Sequence, residues 1–310
     1  MPTTDAIKWR LKIRFMLEYA VARTMTALVD LVPLRAAVWF AARGGDLAWL
    51  LAIGRRRIAR ENILRSGIAP DAAAADRIAR ASFRNFAIML VETMKSAMIL
   101  RDDRWRSSVR FALTPELMQA ITAPQPGVIM AAGHYGNFEL GGQVASINKP
   151  VAGVMRSLSN PYIDRMVKRR FPRVQFHFVP KNDADYSRFV RLLDDGEILA
   201  MMIDQHGGQR GMLVDFLGRP ASTHTGIALL SLITNKPLVF GYCRRTGLMQ
   251  FEFGGSGPHF PVHTGDRQRD VRAILEWLNG ELGKVIRADP TQYMWGHRRW
   301  RPEDEKRAAE

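Results

Sequence analysis

A series of short, uninterrupted apolar runs constrains the fold of this chain more than any other feature of its sequence. The first run, from Gly127 to Ala132, has no polar alternation, which is typical of a strand that helices cover on both faces of a parallel sheet. Further runs follow, separated by segments with a helical pattern: KPVAGVM, VQFHFVP, ILAMMID and PLVFGYC. The alternation predicts an α/β fold with a mixed, mostly parallel sheet flanked by helices, to which MQFEFGG adds an antiparallel strand.

The first 60 residues have a different character. A largely apolar stretch runs from Phe15 to Ile53, but charged residues interrupt it too often for one clean spanning helix. Basic residues flank it on both sides, which favours helices lying in the interface of an anionic leaflet. We therefore predict a membrane-associating helical segment over 1–60 and a catalytic domain over 61–310. The alternative is an ordinary helical hairpin that covers the sheet.

The overall charge of the chain favours an anionic partner but does not identify which one. The chain carries a formal net charge of +15, which implies an anionic partner: nucleic acid, an acidic membrane surface, a phosphorylated lipid or an acidic carrier protein. The single cysteine, Cys243, excludes an internal disulfide and fits a reducing compartment. Because its neighbours are apolar, a buried structural thiol is expected rather than a nucleophile.

A histidine follows the first apolar run at a position where α/β sheets bind ligands. His134 is expected at the carboxyl end of that strand, where Gly133 and Gly136 allow a tight turn. Glu139 stands five residues later, and on one continuous helix the two would lie about 140° apart. They can meet only if the histidine is in the turn and the glutamate enters the next helix, with Asn137 as its N-cap. A buried, hydrogen-bonded structural histidine would show the same pattern.

Further polar groups follow other predicted strands. Arg156 and Asn160 occupy a strand-to-helix loop suited to a phosphate or a carboxylate, and Asp204 can pair with Arg156 or position a substrate group. Near the C-terminus, QYMWGHRRWR interleaves tryptophan with arginine. Such a run can grip RNA by stacking, or anionic lipid headgroups through its guanidinium groups.

Taken in order, GHYGNFELGG, MRSLSNPYID, DQHGG, DFLGRPASTHTG and QYMWGHRRWR resemble the motifs of the lipid A biosynthesis late acyltransferase family, the lauroyl and myristoyl transferases. The similarity spans nearly the whole chain. It implies an enzyme at the cytoplasmic face of the inner membrane that moves a fatty acyl chain from acyl carrier protein to a hydroxyl of a phosphorylated, glucosamine-based glycolipid. It implies no cofactor, metal or nucleic acid.

The resemblance also assigns residues. His134 matches the family's catalytic histidine, Glu139 its acidic partner, Arg156 the arginine after the second strand, and Asp204 with Gln205 the DQ pair. Phe138 replaces the family's tryptophan and Asp215 stands where proline is common, which leaves acyl-chain length and acceptor identity open.

The chemistry expected from these residues is direct acyl transfer without an acyl-enzyme. His134 would act as general base, with Glu139 accepting its Nδ1 proton. Backbone amides of the glycine-rich turn, or Arg156, would stabilise the oxyanion. Arg298, Arg299 and Arg301 are the predicted contacts for the acceptor's phosphates.

Three alternatives remain at this stage. The same chemistry can serve another glycolipid, such as a phosphatidylinositol mannoside. A non-catalytic basic membrane or RNA-binding protein would explain the charge but not the placement of His134. A metal-dependent hydrolase would need a second histidine at HxxH or HxxxH spacing from His134, and none lies there.

Overall fold

The computed structural model describes residues 9–100, 103, 105–155, 160–170, 174–180 and 186–309. The helices are α1 (Trp9–Leu31), α2 (Leu34–Leu51), α3 (Ile53–Arg65), α4 (Ala72–Lys95), α5 (Ala97–Leu100), α6 (Trp105–Ser108), α7 (Pro115–Thr122), α8 (Phe138–Ala145), α9 (Pro161–Arg170), α10 (Tyr186–Asp194), α11 (Gly226–Thr234), α12 (Arg267–Ala288) and α13 (Pro302–Ala309). The strands are β1 (Val109–Ala112), β2 (Val128–Ala132), β3 (Val151–Met155), β4 (Phe176–Pro180), β5 (Ile198–Met202), β6 (Met212–Phe216), β7 (Arg219–Thr223), β8 (Leu238–Gly247) and β9 (Gln250–His259).

The main sheet confirms the predicted class. Seven strands lie in the order β1-β9-β8-β2-β5-β3-β4, and every neighbouring pair is parallel except β8 and β9. Because β2, β5 and β3 are neighbours and parallel, their carboxyl ends meet at one edge of the sheet. The residues that follow these three strands are therefore brought together in space.

Both faces of the sheet are covered, which explains why the strands lack polar alternation. On β2, Ile129 and Ala131 belong to one buried cluster with residues of α11 and α12, such as Leu275. Val128 and Met130 point to the other face, into a second cluster with residues of α7 and α8. Alternate residues of one strand thus lie in two separate apolar layers.

A separate hairpin, β6 and β7, was not predicted. Its turn places both Leu217 and Gly218 at positive φ, 56° and 81°, as two-residue hairpin turns require. Asp215, which stands where the resembled family commonly has proline, accepts a hydrogen bond from the Gly218 amide and so has a local role in the turn. A leucine rarely adopts a positive φ, and the usual sequence signal for such a turn is Asn-Gly. Because this turn has Leu-Gly instead, its sequence did not predict a hairpin.

The N-terminal helices carry most of the exposed large apolar side chains of the described chain. On α1 and α2 they include Trp9, Leu17, Val21, Trp39 and Leu50. None of the described helices is by itself long and apolar enough to cross a bilayer; α2 and α3, bent by 92° at their junction, meet the length and composition criteria only as a pair.

These helices are nevertheless fixed to the rest of the chain. Gly45 of α2 packs so closely on α4 that a Cβ atom there would lie 2.6 Å from the Arg84 Cα. The buried Asp46 beside it pairs with Arg80 and Arg84, whose guanidinium groups lower the pKa of its carboxyl. Since α3 runs on to Arg65, the predicted division at residue 60 falls inside a helix and stays a prediction.

Candidate active site

His134 lies in a turn that the rest of the chain holds from two sides. The Asn137 amide donates to the Cys243 carbonyl of β8 over 2.7 Å, and the Gly136 amide donates to the Gln292 carbonyl over 3.0 Å. The Met294 amide in turn donates to the carbonyl of His134 over 3.0 Å. At Gly136, where φ is +61°, a Cβ atom would lie 2.1 Å from the Cys243 oxygen, so a larger residue would force the turn away from β8.

Asp204 is the carboxylate that holds the His134 ring. Its Oδ1 lies 2.8 Å from His134 Nδ1, and its Oδ2 accepts a hydrogen bond of 2.8 Å from the His134 backbone amide. The Asp204 side chain is fully buried, whereas that of His134 remains 14% exposed. With Nδ1 directed at Asp204, the tautomer that leaves Nε2 unprotonated is favoured.

This contact corrects the expectation that Glu139 accepts the Nδ1 proton. Asp204 follows β5, whose carboxyl end lies beside that of β2, so it reaches the histidine directly. Glu139 stands in the first turn of α8, which Asn137 caps as predicted by accepting a 3.0 Å hydrogen bond from the Leu140 amide. Glu139 is a second carboxylate close enough to interact electrostatically with His134.

The charges around His134 make its ring a stronger base. Desolvation opposes the protonation of His134, but the negative charges of Asp204 and Glu139 outweigh it, so the pKa of His134 is raised. Burial alone would raise the pKa of Asp204, yet His134 and its hydrogen bonds lower it, so this carboxyl stays ionised. Glu139 is exposed to solvent, but the surrounding protein partly desolvates its carboxyl and raises its pKa.

A second histidine, His297, faces His134 and was missed as a site residue. The two ring centroids are 5.1 Å apart, and desolvation, followed by the charge of His134, lowers the pKa of His297. Its Nε2 is buried without a hydrogen-bond partner among the described residues. Asn62 of α3 fixes this segment by donating to the carbonyls of Trp295 and His297. The only available signal was the histidine within QYMWGHRRWR, which lies far from His134 along the chain.

The other predicted residues are distributed unevenly. Arg156 lies outside the described residues. Asn160 is buried, caps the start of α9, and donates to the Phe15 carbonyl and to Glu18. It therefore ties α1 to α9, instead of standing free for substrate as expected. Gln205 and Arg298 are exposed, and their roles stay predictions.

Arg299 is the clearest correction among the predicted phosphate contacts. It is only 1% exposed, and its guanidinium donates to the Ser222 carbonyl and the Thr223 hydroxyl while lying over the Phe216 ring. Trp295 and Trp300 are buried as well. The C-terminal tryptophans and Arg299 are thus core residues, so they offer no surface for stacking RNA bases or for binding headgroups.

The backbone amides of the turn are also already in use. The amides of His134, Tyr135, Gly136 and Asn137 donate to Asp204, Gly133, Gln292 and Cys243 respectively. This argues against the expectation that these four amides stabilise an oxyanion.

Within the described residues, no group of three or more histidine, cysteine, aspartate or glutamate side chains is arranged to hold a metal ion.

Cys243 occupies a core position, as predicted. Its side chain is fully buried in the apolar cluster beneath α8. Burial, together with the charges of Glu92 and Glu252, raises the pKa of its thiol. A neutral thiol without solvent access is a poor nucleophile.

Comparison with known proteins gives one consistent family. The family model described as bacterial lipid A biosynthesis acyltransferase matches residues 6–302. The lipid A biosynthesis lauroyltransferase of Escherichia coli (strain K12) is 26% identical over 195 residues, so the match covers 61% of this chain and about three fifths of the relative. A lipid A biosynthesis acyltransferase of Haemophilus influenzae is 26% identical over 85% of each chain. The Escherichia coli palmitoleoyltransferase of the same pathway is 23% identical over 80% of this chain and 79% of its own length.

Proposed function

The chain belongs to the bacterial lipid A biosynthesis acyltransferase family, and we propose that it moves a fatty acyl chain from acyl carrier protein to a hydroxyl of a lipid A precursor. The observation that carries the mechanism is the 2.8 Å contact between His134 Nδ1 and Asp204 at the carboxyl edge of the sheet. A sugar or acyl hydroxyl is a poor nucleophile near neutral pH, so it needs a base within hydrogen-bond reach. His134 Nε2 supplies that base.

In the proposed reaction, His134 Nε2 takes the proton of the acceptor hydroxyl as its oxygen attacks the thioester carbonyl. The carbon–sulfur bond then breaks, and the imidazolium returns its proton to the departing thiolate. Asp204 holds the ring through Nδ1 and the backbone through the His134 amide, and it stabilises the imidazolium as it forms. No side chain becomes acylated, which agrees with the burial of Cys243.

Two further groups complete the site in this proposal. Glu139 is exposed and adds negative charge near the imidazolium, so it supports Asp204 without replacing it. His297 presents an unpartnered Nε2 close to the His134 ring, where it can hydrogen-bond a substrate oxygen. The negative charge of Glu139 makes His134 a stronger base, whereas His297 would position the substrate.

We further propose that α1 and α2 lie in the interface of the inner membrane, with the active site on the cytoplasmic face. Their outward apolar side chains support this placement, and the net positive charge favours an anionic leaflet. The donor, acyl carrier protein, would reach the site from the cytosol.

The test is to incubate purified protein with acyl carrier protein loaded with chains of different length and a lipid A precursor, and to weigh the product by mass spectrometry. The expected product gains one acyl chain and the carrier loses it. His134→Ala should give no product, whereas His263→Ala, at an exposed histidine bonded to Asn235, should match the native protein. Acylation of a phosphatidylinositol mannoside in preference to the lipid A precursor would contradict the proposed acceptor.

A further inference from the structure

A cavity of about 840 Å³ opens between α1, α5 and α9, apart from the His134 turn. Its volume falls within the range of small-molecule sites. Arg23 reaches it from α1, and Arg165 and Arg169 reach it from α9. Tyr19 and Tyr162, whose ring centroids are 6.1 Å apart, line the same space.

The charge of this cavity is unbalanced. Within the described part of the chain, no carboxylate forms an ion pair with Arg23, Arg165 or Arg169. Among the described lining residues, Asp30 supplies one negative charge against the three positive charges of the arginines. Arginine binds phosphate through two parallel N–H donors, and tyrosine hydroxyls can add further hydrogen bonds. The lining therefore suits a phosphorylated ligand.

The fold connects this cavity to the sheet edge that carries His134 and places it beside the helix proposed to meet the membrane. The loop after β3 leads into α9, and only β5 separates β3 from β2, so the β3 end lies roughly 10 Å from the strand that carries His134. On α1, the cavity side includes Tyr19 and Arg23, while the exposed Leu17 and Val21 are about 200° around the helix. On α1, Tyr19 and Arg23 thus line the cavity, whereas Leu17 and Val21 lie on the opposite, exposed side.

We propose that this arginine cavity, formed by Arg23, Arg165, Arg169, Tyr19 and Tyr162, binds a phosphate group of the glycolipid acceptor. The inference rests on the proposed function, because it assigns the phosphate of that acceptor to a place in the fold. It replaces the buried Arg299 as a phosphate contact. A lipid that enters beside α1 would leave its acyl chains on the apolar side of the helix and direct its phosphorylated sugar inward.

The test measures binding of a phosphorylated lipid A precursor in detergent micelles to the full-length protein, with the same lipid after phosphatase treatment as comparison. The native protein should prefer the phosphorylated form by about tenfold or more, the effect of a charge-assisted hydrogen bond. Changing Arg23, Arg165 and Arg169 to Gln should remove that preference and leave binding of the dephosphorylated lipid unchanged. Changing the same residues to Lys should restore part of it.

A matched control changes three exposed arginines of α12, Arg267, Arg269 and Arg287, to Gln. This variant loses the same charge and should keep the phosphate preference. An unchanged preference in the cavity variant overturns the inference, and so does weaker binding of acyl carrier protein with unchanged glycolipid binding. Since binding needs no turnover, a native protein that prefers phosphate but transfers no acyl chain supports the cavity and refutes the proposed function.

Discussion

The N-terminal helices and the carboxyl edge of the sheet distribute polarity in opposite ways. On α1 and α2, large apolar side chains such as Trp9 and Trp39 face outward. At the sheet edge, polar side chains such as Asp204 and Asn137 are buried and hydrogen-bonded. In water, outward apolar surface and inward charge are both costly. The difference agrees with the proposed function, in which the first region meets lipid and the second meets a reacting substrate.

The two regions also differ in how they are stabilised. Asp204 has two hydrogen bonds from His134, and the turn is fixed by backbone contacts to β8 and to residues 292–294. The outer faces of α1 and α2 instead carry exposed large apolar side chains, which a bilayer would cover in the proposed function. Changes at the sheet edge should therefore affect the rate, and changes on the outer helix faces should affect location.

The largest effect is expected at His134. His134→Ala should lower kcat/KM by about 10⁴-fold, the upper end for a general base, with membrane association unchanged. Initial rates with acyl carrier protein and a lipid A precursor measure the first quantity, and flotation with vesicles measures the second. If the variant retained turnover while folded, the general-base mechanism would be wrong.

Replacing Asp204 should reduce kcat/KM more than replacing Glu139. Asp204→Asn should lower kcat/KM by about 10² to 10³-fold, since it removes the group that orients the ring, whereas Glu139→Gln should cost about tenfold. Activity should fall as the pH drops through the pKa of His134, because the protonated ring cannot act as a base. Since that pKa is raised, the acid limb of the pH profile of kcat/KM should lie above the ordinary pKa of histidine in the native protein. Asp204→Asn removes the main charge that raises this pKa, so its acid limb should shift to lower pH. A larger loss in Glu139→Gln would restore Glu139 as the principal partner.

Membrane association should depend on the outer face of α1. Replacing Leu17, Val21 and Met25 by Ser should reduce partitioning to anionic vesicles by about 100-fold, because each buried aliphatic side chain contributes roughly 1.5–3 kcal/mol and the interface buries it only in part. Ile233, Phe260 and Val262 are similarly exposed outside the N-terminal helices, so replacing them by Ser is the matched control. Equal losses in both variants would contradict a specific lipid-facing role for α1.

The smallest effect on activity is expected at Cys243. Cys243→Ser should leave the transfer rate within about twofold, yet lower the free energy of unfolding by about 1–3 kcal/mol, because a hydroxyl replaces a thiol in an apolar cluster. Denaturant titration and intact mass during turnover measure the two quantities. A mass increase of one acyl chain on this residue would overturn direct transfer.

Local patterns predicted much of the fold. The apolar runs of β2, β3, β5 and β8 and the antiparallel β9 were found because a strand buried on both faces leaves a continuous run. The hairpin of β6 and β7 was missed, since its turn uses Leu217 where asparagine or glycine is usual.

The site was predicted in part, for a physical reason. His134 and the capping role of Asn137 follow from the strand-to-helix turn, which is local in sequence. The pairing of His134 with Asp204 depends on which strands are neighbours, and the approach of His297 depends on how residues 292–297 return across the sheet edge. Neither is encoded in spacing along the chain. Arg299 was misassigned because composition does not distinguish a buried guanidinium from an exposed one.

The hydrogen bonds from the Met294 amide to His134 and from Gly136 to the Gln292 carbonyl have a consequence for the order of events during synthesis. A ribosome makes the apolar helices α1 and α2 well before the segment that closes the His134 turn. A nascent chain can therefore reach a bilayer long before its histidine is correctly held. Membrane association would then come before catalytic activity. A chain stalled before Gln292 should already be bound to the membrane but have no transferase activity.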